Sequence, residues 1–206
     1  MYNTPAVNEI SEIEALALLE IDGIARAVRA QDEALKRAPV TVLTCAPVSP
    51  AKALLVLGGP LANIEEALTA ADRIIGSRQL DRLLIPAVHP AVVQAMVGRH
   101  EKRTTECLAI CELTTAAATL EAADAAVKTT PVQIGRLHLA TGFGGRGFFT
   151  LWGVQSDVEA AIERVVQLSG AKLLDHEVIA APHDELEAAA FVRAWPVDPA
   201  DFVKPS

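Results

Sequence analysis

Apolar positions along the chain alternate between short continuous runs and stripes stepped by three and four, which separates buried strands from amphipathic helices. Residues 14–21 (EALALLEI) are an apolar run interrupted by acids and predict a buried strand. Gly23 punctuates it, and Ile24, Ala27, Val28, Ala34, Leu35 and Ala38 then fall on one stripe of a helix that Pro39 stops. Residues 40–46 (VTVLTCA) and 53–57 read as strands, with the prolines of 47–51 turning the chain between them. Pro60 suits the first turn of a second helix, whose apolar positions Leu61, Ile64, Leu68, Ala71 and Ile75 recur every three or four residues until Gly76. Residues 80–88 predict a fourth strand, followed by His89-Pro90 and a short helical piece to Met96.

The same order then recurs. Residues 16–40 lie over residues 108–132 at a constant offset of 92, with Leu16/Leu108, Glu20/Glu112, Asp32/Asp124, Lys36/Lys128 and Pro39/Pro131 among the identical pairs. Beyond the next strand the offset is 94 and pairs Gly59 with Gly153, Ile85 with Ile179 and His89 with His183. The chain is a duplication. Each half reads β-α-β-β-α-β, an α+β unit of split β-α-β (ferredoxin-like) type with two helices on one face of its sheet. The predicted divisions are a loose arm over 1–13, a first domain over 14–98, a polar linker over 99–105 and a second domain over 106–190. A C-terminal extension over 191–206, rich in proline, has no counterpart in the first half and would be anchored by Trp195 or Phe202. In the second half Ser156 and Glu159 have the spacing of a capping box.

One stretch points elsewhere at first sight. Residues 142–147, Gly-Phe-Gly-Gly-Arg-Gly, match G-x-G-x-x-G, whose glycines bring backbone close to a pyrophosphate seated on a helix N-terminus. The next residues are Phe148-Phe149-Thr150-Leu151-Trp152, a β-prone run, so the loop joins two strands and lacks the helix dipole that holds a phosphate. Its counterpart in the first half is the turn Ser49-Pro50-Ala51-Lys52.

Composition narrows the function. Hydrophobic residues make up 51% of the chain but aromatics only 4%, which suits thin layers of small side chains and extensive subunit contacts. A net charge of −8 argues against a nucleic-acid face. The acidic start (Glu9, Glu12, Glu14) has no basic n-region, and the apolar runs fall short of the roughly 20 residues a membrane helix needs. A soluble, cytoplasmic protein is expected. Cys45, Cys107 and Cys111 cannot all pair and read as small buried thiols. No nucleophile with a base and no ligand cluster stands out, so neither catalysis nor a cofactor is expected.

In combination, several motifs resemble bacterial microcompartment shell domains. They are the L-x-x-x-E opening strand, the A-x-D-x-A-x-K helix end of residues 30–36 and 122–128, the glycine-bearing loop after the second strand, and the close I-P-x-x-H or I-x-x-P-H of residues 85–89 and 179–183. Two in one chain are similar to the tandem-domain, single-layer class. The resemblance implies a structural shell protein in the bacterial cytoplasm, a homotrimer with pseudo-sixfold symmetry. Its tiles would meet other shell proteins edge to edge and leave a central pore for small polar metabolites, with no nucleic acid or membrane as partner. It puts Ser49, Pro50, Ala51 and Lys52 on the pore rim together with Gly142, Phe143, Gly144, Gly145 and Arg146, where small residues let backbones crowd an axis. Tile-edge contacts would involve Asp32, Lys36, Asp124, Lys128, His89 and His183, leaning on the lysines because Ala87 and Ala181 stand where the family often has an edge arginine. A relative of this class has Cys-Pro-Gly-Lys in the first loop, where three cysteines would hold an iron-sulfur cluster. Ser49 stands at that place here, and a hydroxyl is not the thiolate such clusters use, so no metal is expected. Arg146 either points into the pore and attracts anions or pairs with an acid on its own surface. The alternative from another class is a trimeric ligand-binding or regulatory protein of ferredoxin-like fold with sites between subunits.

Overall fold

The computed structural model describes residues 12–98, 106–183 and Leu186. Residues 1–11 of the N-terminal arm, the linker and the extension with Trp195 and Phe202 lie outside the described residues. The first half runs β1 (Ala15–Ile21), α1 (Ile24–Arg37), β2 (Thr41–Val48), β3 (Lys52–Gly59), α2 (Leu61–Ile75), β4 (Gln79–Ile85) and α3 (Pro90–Met96). The second runs β5 (Cys107–Leu113), α4 (Ala116–Thr129), β6 (Gln133–Leu139), β7 (Gly147–Gly153), α5 (Gln155–Ser169) and β8 (Leu173–Ala180). Two four-stranded sheets result, ordered β2-β3-β1-β4 and β6-β7-β5-β8, with antiparallel neighbours. The duplication extends to irregularities: the β2/β3 pairing slips between Val42 and Thr44, and β6/β7 slips between Ile134 and Arg136. β2 runs on through Pro47 to Val48, further than its apolar run suggested, because an edge strand tolerates a residue without an N–H.

Side chains alternate across a strand, so each sheet has two faces to cover. Ala15, Ala17, Leu19 and Ile21 of β1 pack with Ala27, Ala30 and Ala34 of α1 and Ile64, Leu68 and Ala71 of α2. The other face of β1, with Leu16 and Leu18, joins Leu54 and Val56 in a core that continues into the second half through Ala116, Leu120 and Ala123 of α4. β1 is therefore buried along its whole length. The sequence pattern predicted helices on one face only; the first sheet carries a helix of the other half on its second face. In β5, by contrast, Cys107, Ala109, Cys111 and Leu113 are buried while Ile110 and Glu112 on the opposite face stay partly open.

The halves fill one equivalent place differently. In the second, Trp152 is fully buried opposite Gly135, where an added Cβ would lie 2.3 Å from the indole Nε1. At the matching first-half positions stand Leu43 and Gly58, and Ile13 closes over Gly58, its Cδ1 2.8 Å from where a Cβ would sit. The place that the indole fills in the second half is thus closed in the first by Ile13, a residue from before β1.

The predicted capping box does not form. α5 begins at Gln155 with Val154 at the cap position and no side-chain cap, while Glu159 accepts from the Gln155 Nε2 at 2.8 Å. Ser156 is thus already inside the helix. α4 has the side-chain cap instead, the Ala118 N–H donating to Thr115 Oγ1 at 3.1 Å.

Candidate functional site: two loops and the junction of the halves

The loop between β2 and β3 turns through Ser49, Pro50 and Ala51, with Ala51 in the left-handed region at φ 52°. The longer loop between β6 and β7 is closed by the Ala140 N–H donating to the Arg146 carbonyl at 3.1 Å. These loops come from different halves and meet. A Cβ on Gly145, whose φ is +85°, would lie 3.1 Å from Pro50 Cδ and 3.2 Å from the Ser49 carbonyl oxygen. Conformation and close approach both require glycine there. Of the nine residues predicted for the rim, eight belong to two loops that touch and Lys52 opens β3 beside them.

One cation stands at the end of each loop, and each is held by an acid of the neighbouring strand. Lys52 Nζ lies 2.9 Å from Glu20 Oε2, and Arg146 Nη1 lies 3.0 Å from Glu112 Oε1. Arg146 therefore takes the second of its two alternatives and pairs with an acid on its own surface. Glu20 is fully buried, and its other oxygen accepts from the N–H groups of Ala116 at 2.9 Å and Ala117 at 3.4 Å. A strand carboxylate of the first half so caps helix α4 of the second, where the helix dipole favours negative charge. Sequence reasoning paired Glu20 with Glu112 as repeats but assigned them no role. The available signal was an acid recurring inside an otherwise apolar strand.

Beside the second loop, His138 stacks on Phe148 with centroids 4.9 Å apart, Phe143 meets Phe148 edge-on, and Arg136 lies over the Phe148 ring. Desolvation lowers the His138 pKa below its ordinary 6.5, aided by Arg136 and opposed by the bond from its Nε2 to the Thr141 carbonyl. In the unfolded chain the imidazole protonates first, so the unfolded state binds more protons below about pH 6.5. His138 thus contributes stability above that pH which is lost as pH falls toward the lower folded value. Urea midpoints measured from neutral to mildly acidic pH should decline, and His138→Gln should flatten that decline.

The residues predicted for a tile edge separate into two groups. Asp32 and Lys36 pair at 2.5 Å on an exposed face of α1. Asp124 is buried where the halves join and accepts from the His89 backbone N–H at 2.8 Å, while Lys128, its ion-pair partner, stays exposed. His89 also caps α3, its Nδ1 accepting from the Ala91 N–H at 3.2 Å. His183 follows β8 near the end of the described residues. Cys107 and Cys111 are buried, and burial pushes the Cys111 thiol up to about 12, leaving it un-ionised at neutral pH. Among the described residues no group of three His, Cys, Asp or Glu is arranged to hold a metal.

A duplicated split β-α-β unit whose two hairpin loops meet defines a class. Residues 15–88 and 107–182 each match the BMC domain, so the chain belongs to that family and carries the domain twice; it is a bacterial microcompartment shell protein. It is 33% identical over 175 residues to the bacterial microcompartment shell protein PduT of Citrobacter freundii, spanning 84% of this chain and 95% of that one. The fold is also similar to the crystal structure of a microcompartment protein from Desulfitobacterium hafniense DCB, at a TM-score of 0.81 and 33% identity over 85% of this chain and 99% of that one.

Proposed function

We propose that three copies of this chain close into a pseudo-hexagonal tile of the shell, with the two touching loops of each copy lining a central pore for small polar metabolites. The contact of Gly145 with Ser49 and Pro50 carries this reading, because two loops from equivalent places in a duplicated chain converge as they must beside an axis of the assembly. The rim chemistry follows from what the loops offer: backbone groups of the glycines, the Ser49 hydroxyl, and cations already neutralised by Glu20 and Glu112. Such a rim favours small polar solutes over anions, and with a hydroxyl at Ser49 it offers no thiolate to a metal cluster. Exposed Asp32 and Lys36 are proposed to face neighbouring tiles. Light scattering should give three times the mass of one chain. In a Cys45→Ala background, Ser49→Cys treated with a short bismaleimide should give covalent dimers and trimers on a denaturing gel. A protein that stays at the mass of one chain would defeat the proposal.

A further inference from the structure

We propose that the C-terminal segment around Trp195 docks in an open groove between the two halves of its own chain, where it covers part of the tile edge. The docking is internal to one chain and does not depend on the trimer.

The groove lies where the first sheet ends and the helices of the second half begin. Edge strand β4 forms one wall with Leu84 and the Pro86 that follows it, and α4 and α5 form the others. Leu168 of α5 is 37% exposed on it. Its volume is about 300 Å³, the size at which pockets begin to hold a compact organic group. The charged groups along it differ in what they already hold. Asp124 is committed to Lys128 and to the His89 amide. Glu121 of α4 and Arg164 of α5 also line the groove, and neither makes an ion pair among the described residues. An apolar trough flanked by an open acid and an open base calls for an apolar group carrying one charge of each sign beside it.

One stretch of the chain has that composition. The second BMC match ends at residue 182, so residues 187–206 belong to neither domain. They hold Phe191, Trp195 and Phe202, although aromatics make up only 4% of the chain. Arg193 and Asp198 flank the indole, which gives Glu121 and Arg164 their missing partners. Trp195-Pro196 and Asp198-Pro199 are steps at which proline biases the preceding residue to an extended backbone. Residues 195–199 then cover about 16 Å. The groove wall from Glu121 to Thr129 is of similar length, about 12 Å at the rise of a helix. Reach is sufficient as well. α5 packs on β8 and also lines the groove, so the segment has this one helix, about 10 Å across, to pass. The stretch from Leu186 to Trp195 spans up to about 30 Å when extended. Lys128, exposed beside the same groove and predicted for the tile edge, is shielded by a docked segment, which therefore competes with a neighbouring tile.

Trp152 and Trp195 are the two tryptophans of the chain, so the emission lost in Trp195→Phe reports residue 195 alone. Acrylamide should quench that component at least about threefold less than it quenches N-acetyltryptophanamide, because an indole packed on apolar side chains is out of the quencher's reach. Arg164→Glu, at an exposed position of α5, should raise the quenching to that of the free indole, and adding Asp198→Arg should restore the shielding. A Trp195 quenched like the free indole in the unaltered protein, or still shielded after Arg164→Glu, overturns the proposal. Refolding Arg164→Glu chains together with Asp198→Arg chains separates docking within a chain from docking between copies. Each chain then has a mismatched groove of its own, so the shielding should stay lost, and its return would overturn the own-chain assignment. Light scattering of the Arg164→Glu protein should show sheets at a several-fold lower concentration than the unaltered protein. An unchanged concentration would overturn the competition at the edge.

Discussion

Lys52→Met is expected to be among the most destabilising single changes in the protein, costing about 3 kcal/mol, the low end of what breaking one side of a buried ion pair costs. Glu20, its partner, is fully buried at the seam between the halves, and Lys52 itself is only 21% exposed. Removing the ammonium leaves a carboxylate in the core with two helix amides and no counter-charge. Water reaching the lysine end places the cost at the lower limit. Urea unfolding should show the midpoint fall, and the double variant Lys52→Met with Glu20→Gln should recover part of the loss, because a neutral amide oxygen can still accept from Ala116. The equivalent change in the other half, Arg146→Met, should cost the separated single chain only about 0–1 kcal/mol, since that pair is largely solvated. Equal losses at the two sites would contradict the account of the seam.

The second large effect is expected at Trp152 and Gly135. Trp152→Gly removes the largest fully buried side chain among the described residues and should cost about 3–5 kcal/mol through the cavity it leaves. Gly135→Leu drives a side chain into the indole from a Cβ position 2.3 Å from Nε1 and should cost about 1–3 kcal/mol or more through overpacking. Combined, the two changes set a leucine opposite a glycine, so the leucine no longer meets the indole and occupies part of the cavity. The double variant should therefore be more stable than the sum of the singles predicts, by about 0.5–3 kcal/mol in a double-mutant cycle. Strict additivity would show that positions 135 and 152 do not share one volume.

Much of the fold was legible because its determinants are local or repeated. The runs in β1 and β3 and the stripes of α1 and α2 follow from periodicity, and the offset between the halves transferred each assignment to its copy. The G-x-G-x-x-G stretch is no phosphate cradle, because Phe148 to Trp152 directly after it form β7 instead of a helix. The capping box at Ser156 failed for a related reason. A three-residue spacing fits a cap only if the helix starts where the spacing requires, and the chain enters α5 at Gln155.

The sequence by itself determined that there are two copies of one unit, which strands and helices each contains, and where the two hairpin loops fall, since these depend on neighbours a few residues apart. Tertiary structure decided which copy covers the other. Both sheets present an apolar second face with an acid in it, and hydropathy cannot say whether that face meets a helix of the same chain, as at Glu20, or is left partly open, as at Glu112. It also decided that Asp124 takes the His89 amide at the seam and that Gly145 lies on Pro50. Contacts between residues so far apart in the chain depend on how two folded units pack, and no local pattern encodes that choice.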